Sequence, residues 1–156
     1  MELLISYTSE QYEYVKGSRK VLFEYCETIS EKDFVNQNTS FGRGGSIRNL
    51  LVHIANTYEY WIANLVLKKN KPYAEYEDYQ TIKEVRLLFE NVDLFMEEFI
   101  SQINYFENIE TPNSINTVKP LQLFSHVITH EYHHKGQILS LSRHLGYIPV
   151  DTDIMR

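Results

Sequence analysis

The chain has 156 residues, of which 43% are hydrophobic and 23% charged, and its formal net charge is −6. This length and composition predict one globular domain over residues 1–156 and exclude an intrinsically disordered chain. The acidic balance argues against a nucleic-acid partner, and without an apolar run of about 18 residues no membrane span is expected.

The N-terminal stretch MELLISYTSEQ lacks the basic start and the long apolar segment of a signal peptide. The chain has a single cysteine, Cys26, so an internal disulfide framework is excluded. We therefore expect a cytoplasmic protein.

Four segments show the apolar periodicity of amphipathic helices. The first helix is predicted from about Ser9 to Ile29, with Thr8 or Ser9 as its N-cap. A loop follows, with a second capping pattern at Ser30 to Asp33 and the glycine-rich turn FGRGGS. The second helix is predicted from the Ser46 cap to about Lys69.

The third helix is predicted from about Tyr79 to Asn104, and the turn-rich stretch ETPNSINTVKP leads to the fourth. Pro120 suits the first turn of the fourth helix, Gly146 suits its C′ position, and Pro149 lies just beyond. Four amphipathic helices without a convincing strand predict an all-α four-helix bundle. The first connection is long enough, at about 3.3 Å per residue, to run along a whole helix, so simple up-down order is not required.

Four of the six histidines fall in the fourth-helix stretch HVITHEYHHKGQ, residues 126–137. On a helical wheel, His130 and His134 lie about 40° apart within the apolar stripe, one turn from each other. Such a pair can share one metal ion. His126, His133 and His144 lie at the edge of the stripe or outside it, and we interpret them as solvated or supporting groups.

Two imidazoles need a third protein ligand to make a tight site. The one remaining histidine, His53, lies at the margin of the apolar stripe of the second helix. The alternative is that His130 and His134 are hydrogen-bonded core residues, although burying two imidazoles without partners is costly.

The letters HEYHH, residues 130–134, also match the H-E-x-x-H motif of zinc peptidases. The extended motif of one peptidase class would need Gly at 137 and His at 140, where this chain has Gln137 and Ser140. Glu131 lies at the border of the stripe; we favour a flanking helical glutamate, with a role beside the metal as the alternative.

Three segments carry a family resemblance: NLLVHIANTYEYW, HVITHEYHHKGQI and the tail LGYIPVDTD. Over nearly the whole chain they resemble the DinB/YfiT-like metal-binding proteins, with the string H-x-x-x-H-[RK]-G-Q and the upstream histidine in the same order. The resemblance implies the metal ligands His53, His130 and His134, which include the pair that the wheel selects. It also implies a four-helix bundle of up-down-down-up order, and frequent homodimers.

The resemblance implies chemistry on small molecules, because some relatives transfer low-molecular-weight thiols or catalyse thiol-dependent isomerisation. Imidazole ligands suit zinc or nickel, which would lower the pKa of a bound water or hold a cosubstrate thiol as thiolate. We therefore expect a metal-dependent thiol transferase or hydrolase. The alternative is a non-catalytic metal-binding or stress-response protein, in which the ion ties the second and fourth helices together.

Three further expectations concern other side chains. Cys26 is a poor nucleophile candidate, because Glu24, Glu27 and the end of the helix all disfavour a thiolate. Gln137 is placed to hydrogen-bond a ligand or substrate. Tyr60 and Asn64 lie near His53 on the wheel and are assigned to packing, with the lining of a pocket as the alternative. A second apolar patch on the fourth helix suggests a dimer interface, or else a helix fully central in the monomer; it comprises Leu121, Ile128, Tyr132 and Leu139.

Overall fold

A computed structural model gives the structure of residues 2–39, 45–112 and 117–156. The helices are α1 (Glu2–Cys26), α2 (Glu31–Phe34), α3 (Ile47–Tyr58), α4 (Ile82–Gln102) and α5 (Pro120–His144). α3 continues directly into a π-helical segment, Glu59–Val66, and short 3₁₀ turns lie at Tyr76–Asp78 and Ile103–Tyr105. The prediction of an all-α class is confirmed in its main feature, since helices dominate the described residues.

Two very short strands correct the expectation of no strand. β1 (Ile109–Glu110) pairs antiparallel with β2 (Thr117–Val118), with Ile109 opposite Val118. Each strand has two residues, so the alternation that identifies a strand in a sequence has no room to appear. Both strands lie in the connection between α4 and α5.

Two predicted helix starts hold where a serine caps the helix. The hydroxyl of Ser46 accepts a hydrogen bond from the Asn49 amide, and Ser30 caps α2 in the same way. α4 begins at Ile82, later than the predicted Tyr79, after a capping box formed by Thr81 and Glu84. Of the glycine-rich turn FGRGGS, only the last two residues lie within the described part of the chain.

The predicted start of the first helix is wrong. α1 begins at Glu2, and Thr8 lies inside it, where its hydroxyl donates to the carbonyl oxygen of Leu4 at 2.8 Å. A threonine that bonds back to the preceding turn is tolerated within a helix, so a capping residue type alone does not mark a helix start. The C-terminal end of α5 agrees with the prediction, since Gly146 follows it with φ of +96°.

α1 packs against both α4 and α5, and α3 packs against both α4 and α5. Lys16 of α1 pairs with Glu97, whereas Glu27, just beyond α1, pairs with Arg86. Later residues of α1 therefore meet earlier residues of α4, and these two helices run antiparallel.

α5 runs antiparallel to α3 and parallel to α1. Tyr58 of α3 contacts Glu131, whereas Trp61, one turn later, contacts the earlier residue His126. Against α1 the order is the opposite, because Arg19 pairs with Glu131 and the later Tyr25 bonds Ser142. Side chains of α5 therefore meet α3 on one side and α1 on the other.

The core lies between these four helices. Its largest fully buried apolar side chains are Tyr12, Leu22, Ile47, Leu51, Ile54, Tyr58, Ile62, Phe89, Met96, Phe99 and Phe124. Burying one such side chain contributes about 1.5–3 kcal/mol, so the core holds the helices firmly in register. In the described part of the chain, none of the helices is both long enough and apolar enough to cross a membrane.

Candidate metal centre

Three imidazoles from two helices meet at one point beside the core. α3 supplies His53 and α5 supplies His130 and His134, and one ring nitrogen of each lies within 4.8 Å of the others. The ring centre of His53 is 5.0 Å from that of His130 and 4.7 Å from that of His134. In residues 2–39, 45–112 and 117–156 this is the one group of three or more potential metal ligands within such a distance.

The separation of the α5 pair fits two ligands of one ion. The Nε2 atoms of His130 and His134 are 3.0 Å apart. Two metal–nitrogen bonds of about 2.0–2.1 Å, at a tetrahedral angle, place their nitrogens roughly 3.4 Å apart. With the three ligand nitrogens within 4.8 Å of one another, the donor set fits a divalent ion.

The environment of the three rings keeps them neutral. Burial, and secondarily the neighbouring imidazoles, lower the pKa of His130 to about 4. Burial also lowers the pKa of His53, and it lowers that of His134 against an opposing hydrogen bond from Gln137. A neutral imidazole offers a nitrogen lone pair, which is the form that a metal ion requires.

Gln137 orients the imidazole of His134. Its Oε1 lies 2.7 Å from Nδ1 of His134, and its Nε2 lies 3.3 Å from Nε2 of His133. Because an amide oxygen only accepts, Nδ1 carries the proton and Nε2 keeps its lone pair towards the cluster. Gln137 thus does what the sequence suggested, by bonding a candidate ligand. Nδ1 of His130, by contrast, is buried without a hydrogen-bond partner in the described part of the chain.

The remaining histidines of α5 lie on its exposed side, as the wheel predicted. His126, His133 and His144 are exposed, whereas His130 and His134 are half-buried. The ring of His126 nevertheless lies near the cluster, 6.0 Å from His130 and 5.3 Å from Trp61. His126 is therefore a neighbour of the candidate site and not one of its three grouped nitrogens.

The interpretation of Glu131 as a flanking glutamate is wrong, because its side chain is 1% exposed and lies at the centre of an ion network. Its two carboxylate oxygens accept hydrogen bonds from Nε and Nη2 of Arg19, at 3.0 and 2.9 Å. Tyr58 donates to it at 2.7 Å, and the ammonium of Lys135 lies 3.4 Å away.

This setting disfavours a peptidase role for Glu131. Burial alone would raise the pKa of its carboxyl, but the charges of Arg19 and Lys135 hold that pKa below its ordinary value. A carboxylate already paired with two cations and a hydroxyl is a weak general base. Glu131 is therefore not poised to be the general base that the H-E-x-x-H motif requires.

Sequence reasoning missed the rest of this network. Arg19 is 3% exposed, and it also pairs with Asp93 at 2.6 Å, while Tyr12 donates to the same carboxylate. The ammonium of Lys135 donates to Ser18 at 2.8 Å. The only sequence signal was the i, i+4 spacing of Glu131 and Lys135, because the other partners lie on distant segments.

Three other expectations about side chains can be compared with the structure. Burial raises the pKa of Cys26 to about 12, so this thiol is a packing residue as expected. The ring of Tyr60 packs edge-on against Trp61, with centres 4.8 Å apart. The amide of Asn64 bonds both backbone groups of Lys71, which is a structural role.

Two comparisons with known proteins bear on this site. The model of the DinB family matches residues 4–156. A search of curated proteins found no significant match. The family match spans both helices that carry the histidine cluster.

Proposed function

Because the chain belongs to the DinB family, we propose that it holds one divalent metal ion with His53, His130 and His134 and uses it in a reaction on a small molecule. The observation that carries this proposal is the grouping of three neutral imidazole nitrogens within 4.8 Å. Imidazole ligands suit zinc or nickel. Such an ion lowers the pKa of a water or thiol that it coordinates, and so supplies a nucleophile near neutral pH.

The half-buried setting of the cluster supports an enzyme over a purely structural ion. Structural zinc sites are closed by four protein ligands, whereas three leave a position open. The described residues group three nitrogens, and all three histidines are partly accessible to solvent. A small molecule can therefore approach the open position from the solvent side, where His126 and Trp61 lie.

Two reaction classes fit this arrangement, a low-molecular-weight thiol transfer and a hydrolysis. In either, the residues named here have separate tasks: the three imidazoles hold the ion, and Gln137 fixes the ring of His134. The buried thiol of Cys26, with its raised pKa, supports an external thiol rather than a protein thiol as nucleophile. We expect the acceptor to be a small electrophile.

We further infer that the chain is a single four-helix bundle of up-down-down-up order. The contacts support this order, because α1 runs antiparallel to α4 and parallel to α5, while α3 runs antiparallel to α5. α3 and α5 also pack directly against each other, as a site built from histidines of both helices requires.

Metal content tests the ligand assignment. A tag-free preparation, analysed by elemental mass spectrometry, is expected to carry about one equivalent of zinc or nickel. His53→Ala, His130→Ala and His134→Ala should each lose most of it. His144→Ala, which removes an exposed histidine of the same helix, is the matched control and should retain it. Unchanged metal content in the three ligand variants would contradict the assignment.

A second experiment separates the enzyme from the structural alternative. The metal-loaded protein is screened with several biological thiols and an electrophilic acceptor, and the ion is then removed with a chelator. An activity that disappears while the helical signal and the melting temperature persist supports an enzyme. A collapse in stability with no activity before or after removal supports an ion that only ties α3 to α5.

A further inference from the structure

A cavity whose lining does not include the three histidines lies beside α3. It has a volume of about 320 Å³ and lies between α3, its π-helical continuation, the segment 71–79 and α4. That volume is within the range of small-molecule sites, about 300–1,000 Å³. The polar and aromatic side chains that line it include Asn56, Glu59, Lys71, Glu75, Asp78 and Tyr79.

The outer wall of this cavity is held in place by two asparagines. Asn56 bonds both the amide and the carbonyl of Ala74, each at 2.9 Å. Asn64 does the same with Lys71, at 2.7 and 2.9 Å. Each side-chain amide thus supplies the hydrogen bonds that a neighbouring backbone would otherwise make with the segment 71–79. Because these bonds hold the segment in place, the cavity is formed before any ligand binds.

Glu59 lines the cavity with an unsatisfied carboxylate. The side chain belongs to a residue that is 8% exposed, and its Oε1 is buried without a hydrogen-bond partner in residues 2–39, 45–112 and 117–156. A buried carboxylate oxygen without a donor is costly. The residue is also the first of the π-helical segment, a distortion that often accompanies functional sites.

The charges around Glu59 favour a positively charged ligand. The lining contains three carboxylates, those of Glu59, Glu75 and Asp78, against the single ammonium of Lys71. That ammonium lies over the ring of Phe95, 5.7 Å from its centre, and its charge opposes the rise that burial causes in the pKa of Glu59, but among the described residues it does not form an ion pair with Glu59. The cavity therefore keeps an excess of negative charge around an acceptor that lacks a donor.

We propose that this cavity binds a small organic cation, with an ammonium or guanidinium group that donates to Glu59. A metal ion fits less well, because the described carboxylates here form no group of three within coordination distance. Tyr73 and Tyr79 line the same cavity and offer ring faces, which attract such cations. The site is separate from the three histidines and does not depend on the metal.

Nuclear magnetic resonance titration tests the proposal on the full chain. Butylammonium chloride and butylguanidinium chloride are the probes, and butanol is the uncharged analogue with the same alkyl chain. The side-chain amides of Asn56 and Asn91, which line the cavity, report binding. We expect saturable shifts with both cations and none with butanol. Glu59→Gln should weaken binding by about ten-fold or more, since hydrogen bonds to charged groups are the strong ones.

Glu77→Gln is the matched control, because Glu77 lies on the same short turn as Asp78, is exposed, and does not line the cavity. It should bind the cations as the unmodified protein does. Three outcomes would overturn the proposal: no saturable shift with either cation, equal binding of butanol, or binding that appears only in Lys71→Met. The last would mean that Lys71 itself neutralises Glu59. The first two need no variant, so they stand even if Glu59→Gln fails to fold.

Discussion

A hydrogen bond to Gln137 helps to orient the imidazole of His134. The amide oxygen holds Nδ1 of the imidazole and thereby directs Nε2 towards His130 and His53. Outer hydrogen bonds of this kind commonly change metal affinity by about 10–100-fold when removed. Gln137→Ala is therefore expected to lower the affinity for zinc by that factor, as measured by competition with a chromophoric chelator.

The control for this prediction is Gln122→Ala, which removes an exposed glutamine from the first turns of the same helix. It should leave zinc affinity unchanged. Equal affinities for the two variants would show that the hydrogen bond of Gln137 has no part in metal binding.

Cys26 gives a prediction about pH. Its thiol is buried, and burial raises its pKa from 9.0 to about 12. Below pH 9 the folded and unfolded states both hold the proton, so this group does not affect stability there. As pH rises from 9 towards 12 the unfolded chain loses the proton first, and stability falls. Iodoacetamide at pH 9 should therefore alkylate the urea-unfolded protein quickly and the native protein slowly. Comparable rates would mean that the thiol is accessible.

The contrast between His130 and Glu131 shows what a single sequence can and cannot give. Helical periodicity placed His130 and His134 within the apolar stripe, and their rings do meet that of His53. The same wheel put Glu131 at the border, and it proved to be among the most buried residues. Periodicity gives the direction in which a side chain of α5 points, but it does not say which other helix packs there, because that depends on the tertiary fold. Arg19, the main partner of Glu131, is 112 residues away.

At the scale of elements, the ion network joins α5 to α1 and α3 on the side away from the exposed histidines. Its central residue, Glu131, directly follows His130 in sequence, so the bonds that hold one carboxylate also restrict rotation of the helix that carries the ligands. Removing one partner of a buried ion pair typically costs about 3–5 kcal/mol. Glu131→Gln is expected to lower the free energy of unfolding of the metal-free protein by about that amount, measured by urea denaturation.

Glu27→Gln is the comparison for this variant. It breaks the pair between Glu27 and Arg86, in which the two side chains are 47% and 31% exposed. Pairs so accessible to solvent contribute about 0–1 kcal/mol. If the two variants lose the same stability, the network does not hold α5 in place.

Helix boundaries were predictable where a local end signal acted. Ser46 caps α3, Pro120 begins α5, and Gly146 follows the end of α5. Thr8 is also of a residue type that caps helices, but its hydroxyl bonds within α1, and the helix extends back to Glu2. The π-helical segment after Tyr58 was not predictable, because one residue added to a helical turn leaves no distinct periodicity over eight residues.

At the scale of the whole molecule, the apolar patch on α5 divides between the core and the surface. Ile128, Tyr132 and Leu139 are partly buried against the core, whereas Leu121 is 40% exposed. The monomer therefore accounts for most of the patch. Leu121 lines a cavity of about 520 Å³ with Leu4 and Phe106, in which apolar and polar residues are mixed, and the nearby chain also exposes Tyr105. Exposed apolar surface of this kind is typical of interaction sites.

We propose that this end of the molecule forms the interface of a homodimer. Light scattering at micromolar concentration should then give twice the 18.5 kDa mass of one chain. Leu121→Lys places a charge in the interface and should give the monomer mass, because an unpaired buried charge is costly. Leu87→Lys alters a leucine of α4 that is 60% exposed and should leave the dimer intact. A monomer mass for the unmodified protein would contradict the prediction, and a dimer that persists in Leu121→Lys would place the interface elsewhere.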